Sequence, residues 1–348
     1  MSKKKVGVIF GGISTEHDVS VVSGTDIMRN IDKEKYEVIP IYIDEQGTWH
    51  EYKLTDQIFK VGDKITDKKP IENICEYLKK VDVIFPVLHG LGGEDGTIQG
   101  MLELLKIPYV GSKVLGSSIC MDKVYAKIIF EKAGLLQTKY LYIRKYKEEY
   151  IYVKQDFEED KCTTDEIVEI ADKQLKYPMF IKPSNSGSSV GISKATNKEE
   201  LKRAIEYAAQ FDKKILIEEG INAREIECAV LGNEELTASI LGEVLAADTF
   251  YSFDAKYMNQ ESRTEMPAKL SEKLTKQVQE LAKKAYKAAD CKGLSRVDFF
   301  VDDKTEKIYI NEINTIPGFT QISMYPKLLE KTGIPYKEIL TKLIELAE

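Results

Sequence analysis

The chain reads as an α/β protein of two or three domains, and three observations carry that reading. Its 348 residues exceed what one ordinary core needs. Over the first 120 residues, short apolar runs alternate with helical patterns, as in a doubly wound parallel sheet. From residue 294 the pattern switches to an alternating polar hairpin. Hydrophobic content of 43% beside 31% charged residues is that of a soluble globular chain. A net charge of −7 argues against a general nucleic-acid role, and no apolar run approaches a membrane span. The start, MSKKKVGVIFGG, has no signal-peptide apolar region. Five scattered cysteines, without a C-x-x-C pair or paired histidines, argue against zinc and disulfides and fit a reducing cytoplasm.

Residues 6–10 predict a strand buried on both faces. It ends in Gly11-Gly12, and Ser14 or Thr15 is expected to cap a helix reaching about Asn30. The free N–H groups at such a helix start suit an anion or a polar ligand. Glu16 is odd for a pure anion site: it either complements the helix dipole or meets an ammonium group. Without G-x-G-x-x-G, a dinucleotide is not indicated. Residues 36–42 and 81–88 predict the second and third strands. The polar stretch after the second, to about Lys69, fits no element. His89-Gly90-Leu91-Gly92-Gly93-Glu94-Asp95-Gly96 makes a glycine-rich loop at a strand's carboxyl end, where open α/β sheets bind ligands. A helix over 97–105 and a short strand at 109–111 complete this unit.

Asp122 is the expected N-cap of a helix over 123–133 that Gly134 ends. Residues 140–152 have strand character, and 163–175 read as a helix. A strand over 177–183 carries Lys182 into Ser184-Asn185-Ser186-Gly187-Ser188-Ser189-Val190-Gly191. That loop is either a surface hairpin or a lid whose amides and hydroxyls cover phosphates. It lacks the G-K-[ST] ending of a P-loop. A short strand over 192–194 and a helix over 197–211 follow. The strand over 215–220 then ends in Glu218 and Glu219, and Glu225 opens another over 226–231. Such edge carboxylates either face solvent or accept from the vicinal hydroxyls of a ribose. Residues 249–267 are aromatic, polar and without period, as in a functional loop. Amphipathic helices are expected over 271–290 and from 335 to the end.

In the hairpin, Arg296, Asp298 and Phe300 share one face. On its partner strand Ile308, Ile310, Glu312 and Asn314 are expected to share a face. With a turn over 302–306, Asp298 falls within about two residues of Glu312. Asp298, Glu312 and Asn314 are either a solvated polar face or a set of hard oxygen ligands suited to Mg²⁺. Arg296 can hold an anion, and Asn314-Thr315-Ile316-Pro317-Gly318 leaves as a sharp loop able to point N–H groups at an oxyanion.

VIFGGISTEHDVS, VLHGLGGEDGTIQG, MDK, FIKPSNSGSSVG, LIEEGINAREIE, FDAKY, SRVDFF and NEINTIPGFT occur in this order. On these motifs nearly the whole chain resembles the D-alanine–D-alanine ligase family of the ATP-grasp superfamily. The resemblance implies three domains: a doubly wound parallel N-terminal domain (1–120), a small central α+β domain with a Gly/Ser lid (121–217), and a C-terminal α+β catalytic domain (218–348). The last would have a mixed or antiparallel sheet and a mobile loop over 249–267. ATP is implied between the second and third domains. Lys123, Lys182 and Lys256 would lie on its side of the site, with Ser188 and Ser189 closing over the phosphates. Glu218, Glu219 and Glu225 would meet the adenine and ribose. Asp298, Glu312 and Asn314 would hold two Mg²⁺ ions, Glu312 bridging, with Mn²⁺ as a substitute and K⁺ as a further candidate. Glu16 would meet the ammonium of the first D-alanine and His89 its carboxylate. Arg296 and the Gly318 N–H would form the oxyanion hole. Ser323 and the Met324 backbone would clamp the second carboxylate. Tyr257 would be linked by hydrogen bonds to Glu16 and Ser188. The implied reaction joins two D-alanines through a D-alanyl phosphate for peptidoglycan precursors, in a cytoplasmic homodimer with no nucleic-acid or membrane partner. Thr-Gln-Ile-Ser at 320–323 departs from the Thr-Ser-His-Ser of many members, with Ser323 in its place. Lys256-Tyr257 favours a second amino acid over a hydroxy acid, and D-serine stays open beside D-alanine. The rivals are another ATP-grasp ligase, against which Glu16 speaks, and a regulatory nucleotide-binding protein, against which the intact Asp298, Glu312, Asn314 and Arg296 speak.

Overall fold

The computed structural model describes residues 3–245, 263–320 and 322–347. The first sheet holds β1 (Lys4–Gly11), β2 (Tyr36–Ile43), β3 (Trp49–Tyr52), β4 (Lys68–Pro70) and β5 (Val83–Val87), in the order β4-β3-β2-β1-β5. β1 runs parallel to β2 and β5, as their apolar runs predict. The polar stretch after β2 supplies the antiparallel strands β3 and β4, β4 at the edge. Helices α1 (His17–Asn30), α2 (Ile74–Leu78), α3 (Thr97–Leu105) and α4 (Val114–Met121) complete this part. Residues 109–111 form no strand; only Tyr109 bridges to Ile84. Ser14 and Thr15 do not cap α1. Glu16 holds the cap position without a side-chain bond, and the Ser14 hydroxyl instead accepts from the Glu16 N–H at 3.1 Å and donates to the His89 carbonyl at 2.6 Å.

The second part starts at α5 (Lys123–Lys132), where the Asp122 carboxylate accepts from the N–H groups of Val124 and Tyr125, as an N-cap does. β6 (Tyr140–Tyr146), β7 (Glu149–Val153), β8 (Glu159–Cys162), α6 (Thr164–Gln174), β9 (Met179–Pro183), β10 (Ser193–Ala195), α7 (Lys198–Ala208) and β11 (Lys214–Glu219) follow. Their sheet has the order β10-β9-β11-β6-β7-β8 and is antiparallel. The strand character of 140–152 thus divides into two strands, with a turn at Lys147, whose φ is +57°.

The third part comprises β12 (Arg224–Leu231), β13 (Thr237–Leu245), β14 (Arg263–Glu265), α8 (Glu272–Ala288), β15 (Leu294–Val301), β16 (Ile308–Asn314), α9 (Met324–Lys331) and α10 (Tyr336–Leu346). Its sheet is antiparallel in the order β14-β13-β12-β15-β16. Most of the loop expected over 249–267, with Lys256 and Tyr257, lies outside the described residues.

Two features position the site. First, one apolar core joins the first and third parts: Phe10 and Phe85 belong to the same buried cluster as Phe319, Tyr325 and Leu340. Phe85 meets Phe319 edge-on at 6.0 Å between ring centres. Burying a side chain such as Phe319 stabilises by about 1.5–3 kcal/mol. Second, β15 and β16 are in register at Phe299↔Ile310 and again at Asp298↔Glu312, so Asn311 is bulged out. The bulge reverses the side-chain alternation. Ile310 and Ile313 enter the core under α8 with Val297 and Phe299, whereas Glu312 and Asn314 lie with Asp298 and Arg296 on the other face. The expectation that Ile308, Ile310, Glu312 and Asn314 share one face therefore fails at the bulge.

Candidate active site

A cavity of about 570 Å³ opens where the three parts meet. Glu16, Lys123, Ser188, Glu225, Arg296 and Ser323 reach it from separate elements. It is polar because loops and the charged face of the third sheet, with Glu225, Glu227, Arg296 and Glu312, face it.

One wall is made of two loops clasped together. His89 is buried, and burial pushes its imidazole below the ordinary value, so the ring is neutral. Its Nδ1 then donates to the Ile316 carbonyl at 2.9 Å, and Nε2 accepts from the Ser23 hydroxyl at 3.1 Å. Glu94 takes the other backbone group of the same residue, accepting from the Ile316 N–H at 3.2 Å, and also accepts from the Gly90 N–H at 3.0 Å. Burial first, and the charge of Glu16 second, push Glu94 up to about 7. The glycine-rich loop after β5 thereby sets the loop that follows β16, Gly318 included. A Cβ at Gly318 would lie 2.8 Å from the Ser323 hydroxyl. That hydroxyl accepts from the Thr320 N–H at 3.0 Å. Ser323 occupies the cap position of α9 without capping it through its side chain, and Met324 is the first residue of the helix. A helix start lined by a serine suits a carboxylate.

The opposite wall is the hydroxyl-rich loop. Its base is anchored by Ser184, whose hydroxyl donates to Asp122, while its carbonyl accepts from the Lys123 N–H at 3.0 Å. The Lys123 ammonium donates to the Ser186 carbonyl. Ser188 and Ser189 both have positive φ, +47° and +61°, an uncommon state for residues with a Cβ. The twist carries the Ser188 hydroxyl onto the Glu16 carboxylate. A Cβ at Gly187 would approach Glu16 Oε2 to 2.6 Å, so the glycine permits that approach.

The floor is the third sheet. The Arg296 guanidinium grips buried Asp298 side-on, Nε to Oδ1 at 2.8 Å and Nη2 to Oδ2 at 2.7 Å. Asn314 Nδ2 donates to Asp298 Oδ2 at 2.9 Å. Burial disfavours the charge on Arg296, but the carboxylates of Asp298 and Glu227 outweigh it and hold Arg296 firmly protonated. Asp298 and Glu312 are register partners, and Asn314 reaches Asp298 through its amide nitrogen. Two carboxylates and an amide oxygen are a hard donor set that fits Mg²⁺ or Mn²⁺.

The nucleotide-side residues divide. Buried Glu218 pairs with Lys182 at 2.7 Å and with Lys127, and accepts from the Thr138 hydroxyl. Burial would raise Glu218, but the two ammoniums overcome that and hold it far below the usual carboxylate range. Lys182 and Glu218 lie behind the cavity lining, whereas Glu225 and Ser189 are in it. Glu219 turns away and accepts from the Lys176 N–H at 3.3 Å. Lys127 was not singled out from the sequence, although it lies one helical turn after Lys123 on α5. Glu94 and Glu227 also line the cavity without having been named as site residues.

Comparison with known proteins agrees along the whole chain. The profile of the family described as D-ala D-ala ligase N-terminus matches residues 5–112, and that described as D-ala D-ala ligase C-terminus matches residues 129–345. The chain is 49% identical to the D-alanine–D-alanine ligase of Caldicellulosiruptor bescii, covering 100% of this chain and 96% of that protein. It is 48% identical to that of Clostridium novyi, covering 99% and 98%. Among solved structures, VanG D-Ala:D-Ser ligase from Enterococcus faecalis superposes with a TM-score of 0.84 at 36% identity, covering 100% of both chains. The D-alanine–D-alanine ligase of Bacillus anthracis complexed with ATP gives 0.74 at 29% identity, covering 99% and 97%.

Proposed function

Because the chain belongs to the D-alanine–D-alanine ligase family, we propose that it joins two D-alanines to D-alanyl-D-alanine at the cost of one ATP, released as ADP and phosphate. The product serves peptidoglycan precursor synthesis.

A carboxylate is a poor acyl donor because its leaving group would be oxide. Transfer of the γ-phosphoryl group to the first D-alanine gives an acyl phosphate, whose leaving group is phosphate. Glu16, next to Ser188 in the cavity, holds the ammonium of that D-alanine, and His89 lies toward its carboxylate. Lys123 and Lys182, with Lys256 from the loop outside the described residues, hold the nucleotide phosphates under Ser188 and Ser189. Asp298, Glu312 and Asn314 would hold Mg²⁺, which supplies charge neutralisation on the phosphoryl group in flight. The second D-alanine, its carboxylate at Ser323 and the Met324 backbone, attacks the acyl carbon through its neutral amine. Arg296 and the Gly318 N–H stabilise the tetrahedral oxyanion until phosphate leaves. The lid over the cavity excludes water, which would otherwise hydrolyse the acyl phosphate.

The observation that carries this reading is that Glu16, the loop ending in Gly318 and the start of α9 at Ser323 all line one cavity. We further read residues 1–120, 121–217 and 218–348 as three domains, Glu218, Glu219 and Glu225 as the purine and ribose side, and the active unit as a cytoplasmic homodimer. Of these, Glu225 lines the cavity, Glu218 is held behind it by Lys127 and Lys182, and Glu219 points elsewhere. ATP-dependent phosphate release with Mg²⁺ and D-alanine, with the product identified by mass, tests the reading. No release with any D-amino acid would overturn it. The likeness to a D-Ala:D-Ser ligase favours one second reading, D-serine as the second substrate. A mixed dipeptide in competition between D-serine and D-alanine would establish it.

A further inference from the structure

We propose that Glu227 is a positioning residue for Arg296, the carboxylate that keeps the guanidinium in place when Asp298 turns to the metal. The inference rests on the assignment of Asp298 as a metal ligand.

Register places three carboxylates abreast. Glu227 on β12 is paired with Asp298 on β15, and Asp298 with Glu312 on β16. Neighbouring strands lie about 4.8 Å apart, so these like charges repel unless something stands among them. That something is Arg296, two residues from Asp298 on the same face. It holds Asp298 side-on and also meets Glu227, Nε to Oε2 at 3.3 Å. Glu227 and Asp298 are 5% and 1% exposed, so water screens neither. Three carboxylates and one guanidinium carry a net charge of −2, which a divalent cation neutralises.

The same Asp298 oxygens cannot serve both partners fully. A cation that takes them withdraws the side-on grip on Arg296. A buried guanidinium left without a carboxylate is costly, yet the proposed chemistry needs Arg296 charged and fixed at the acyl carbon. Glu227 already touches Nε from the neighbouring strand. It retains Arg296 on that side while Asp298 is engaged, so the metal need not compete with Arg296 for Asp298. Glu227 touches no reacting atom; its effect passes through Arg296.

The test is Mn²⁺ binding to the nucleotide-free protein, followed by the loss of the free-ion electron paramagnetic resonance signal, in E227Q, R296A and the double variant. E227Q is expected to raise the Mn²⁺ dissociation constant by on the order of fivefold when Arg296 is present, and by less than about twofold in the R296A background, as for side chains that share one partner. In turnover, E227Q is expected to lower kcat while the KM for ATP stays within about twofold. Equal fold-changes in Mn²⁺ affinity in both backgrounds would overturn the proposal, since Glu227 would then act only as a nearby negative charge. Should R296A fail to fold, R296K replaces it, because an ammonium cannot reproduce the two-sided grip of the guanidinium. D298N tests the metal assignment separately: undiminished Mn²⁺ binding in D298N would overturn it.

Discussion

Replacing Glu218 by Gln perturbs the most concentrated charge cluster behind the site. Its carboxylate lies between two ammoniums, those of Lys127 and Lys182. Lys127 is 3% exposed on its side chain and Lys182 15%, so water screens the second better than the first. Removing one partner of a buried ion pair costs about 3–5 kcal/mol. At about 2–4 °C per kcal/mol for larger domains, the expected fall in Tm without nucleotide is roughly 6–20 °C. The pH dependence supplies a second signature. In the wild type, Glu218 has a folded pKa below its unfolded value of about 4.3. Its stabilisation is present above that unfolded value and lost only as pH falls through the folded one. In Glu218→Gln, Lys127 keeps the burial that lowers its pKa and loses the carboxylate that opposed it. Unfolded chains then bind more protons than folded ones over a wide span below about pH 10, so the variant gains stability as pH rises. Thermal unfolding by circular dichroism between pH 7 and pH 10 checks both points. A Tm within about 2 °C of wild type, with a gap that does not narrow with pH, would refute the reasoning.

Three further outcomes follow from the site. Arg296→Ala is expected to lower the rate of ATP-dependent dipeptide formation by on the order of 10²–10³, the loss typical of one oxyanion donor, and steady-state phosphate release measures it. Gly187→Ala would set a Cβ 2.6 Å from Glu16 Oε2 and displace that carboxylate; the KM for the first D-alanine is expected to rise on the order of tenfold, read from initial rates. Glu94 has a folded pKa raised to about 7. Its contribution is therefore fully present below its unfolded pKa of about 4.3 and is lost as pH rises through 7. Urea titrations should show the wild type losing stability relative to Glu94→Gln over that window, and parallel profiles would count against the burial of Glu94.

The strongly patterned elements were legible in the sequence. β1, β5, α5, α8 and the β15–β16 hairpin announce themselves by apolar runs, an Asp cap and strict alternation. Asp298, Glu312 and Asn314 could be paired because a hairpin fixes its own register to within a residue or two. The exception shows the limit: nothing in Ile-Asn-Glu-Ile-Asn declares the bulge at Asn311, which depends on both strands and on the helix beneath them. β3 and β4 were illegible because they are four and three residues long, too short for a period to declare itself. Glu219 looked equivalent to Glu218 by type and position, yet adjacent residues on a strand point oppositely, and one faces the lysines while the other anchors Lys176. Glu94 sat in a loop already marked as a ligand site. Its role needed Ile316 beside it, and no local pattern reports a contact 222 residues away.

That separation has a consequence for how the protein is made. Glu94 and Ile316 leave the ribosome on the order of 10–40 s apart at usual rates of synthesis. Through that interval the glycine-rich loop has no peptide to clasp, and Phe85 lacks the Phe319 ring that later meets it edge-on. The first sheet must wait for the last fifth of the chain with an apolar flank uncovered. A prematurely terminated chain would carry the hydroxyl-rich loop, Lys123 and Lys182 with this apolar surface exposed, yet lack the loop and helix start assigned to the second substrate.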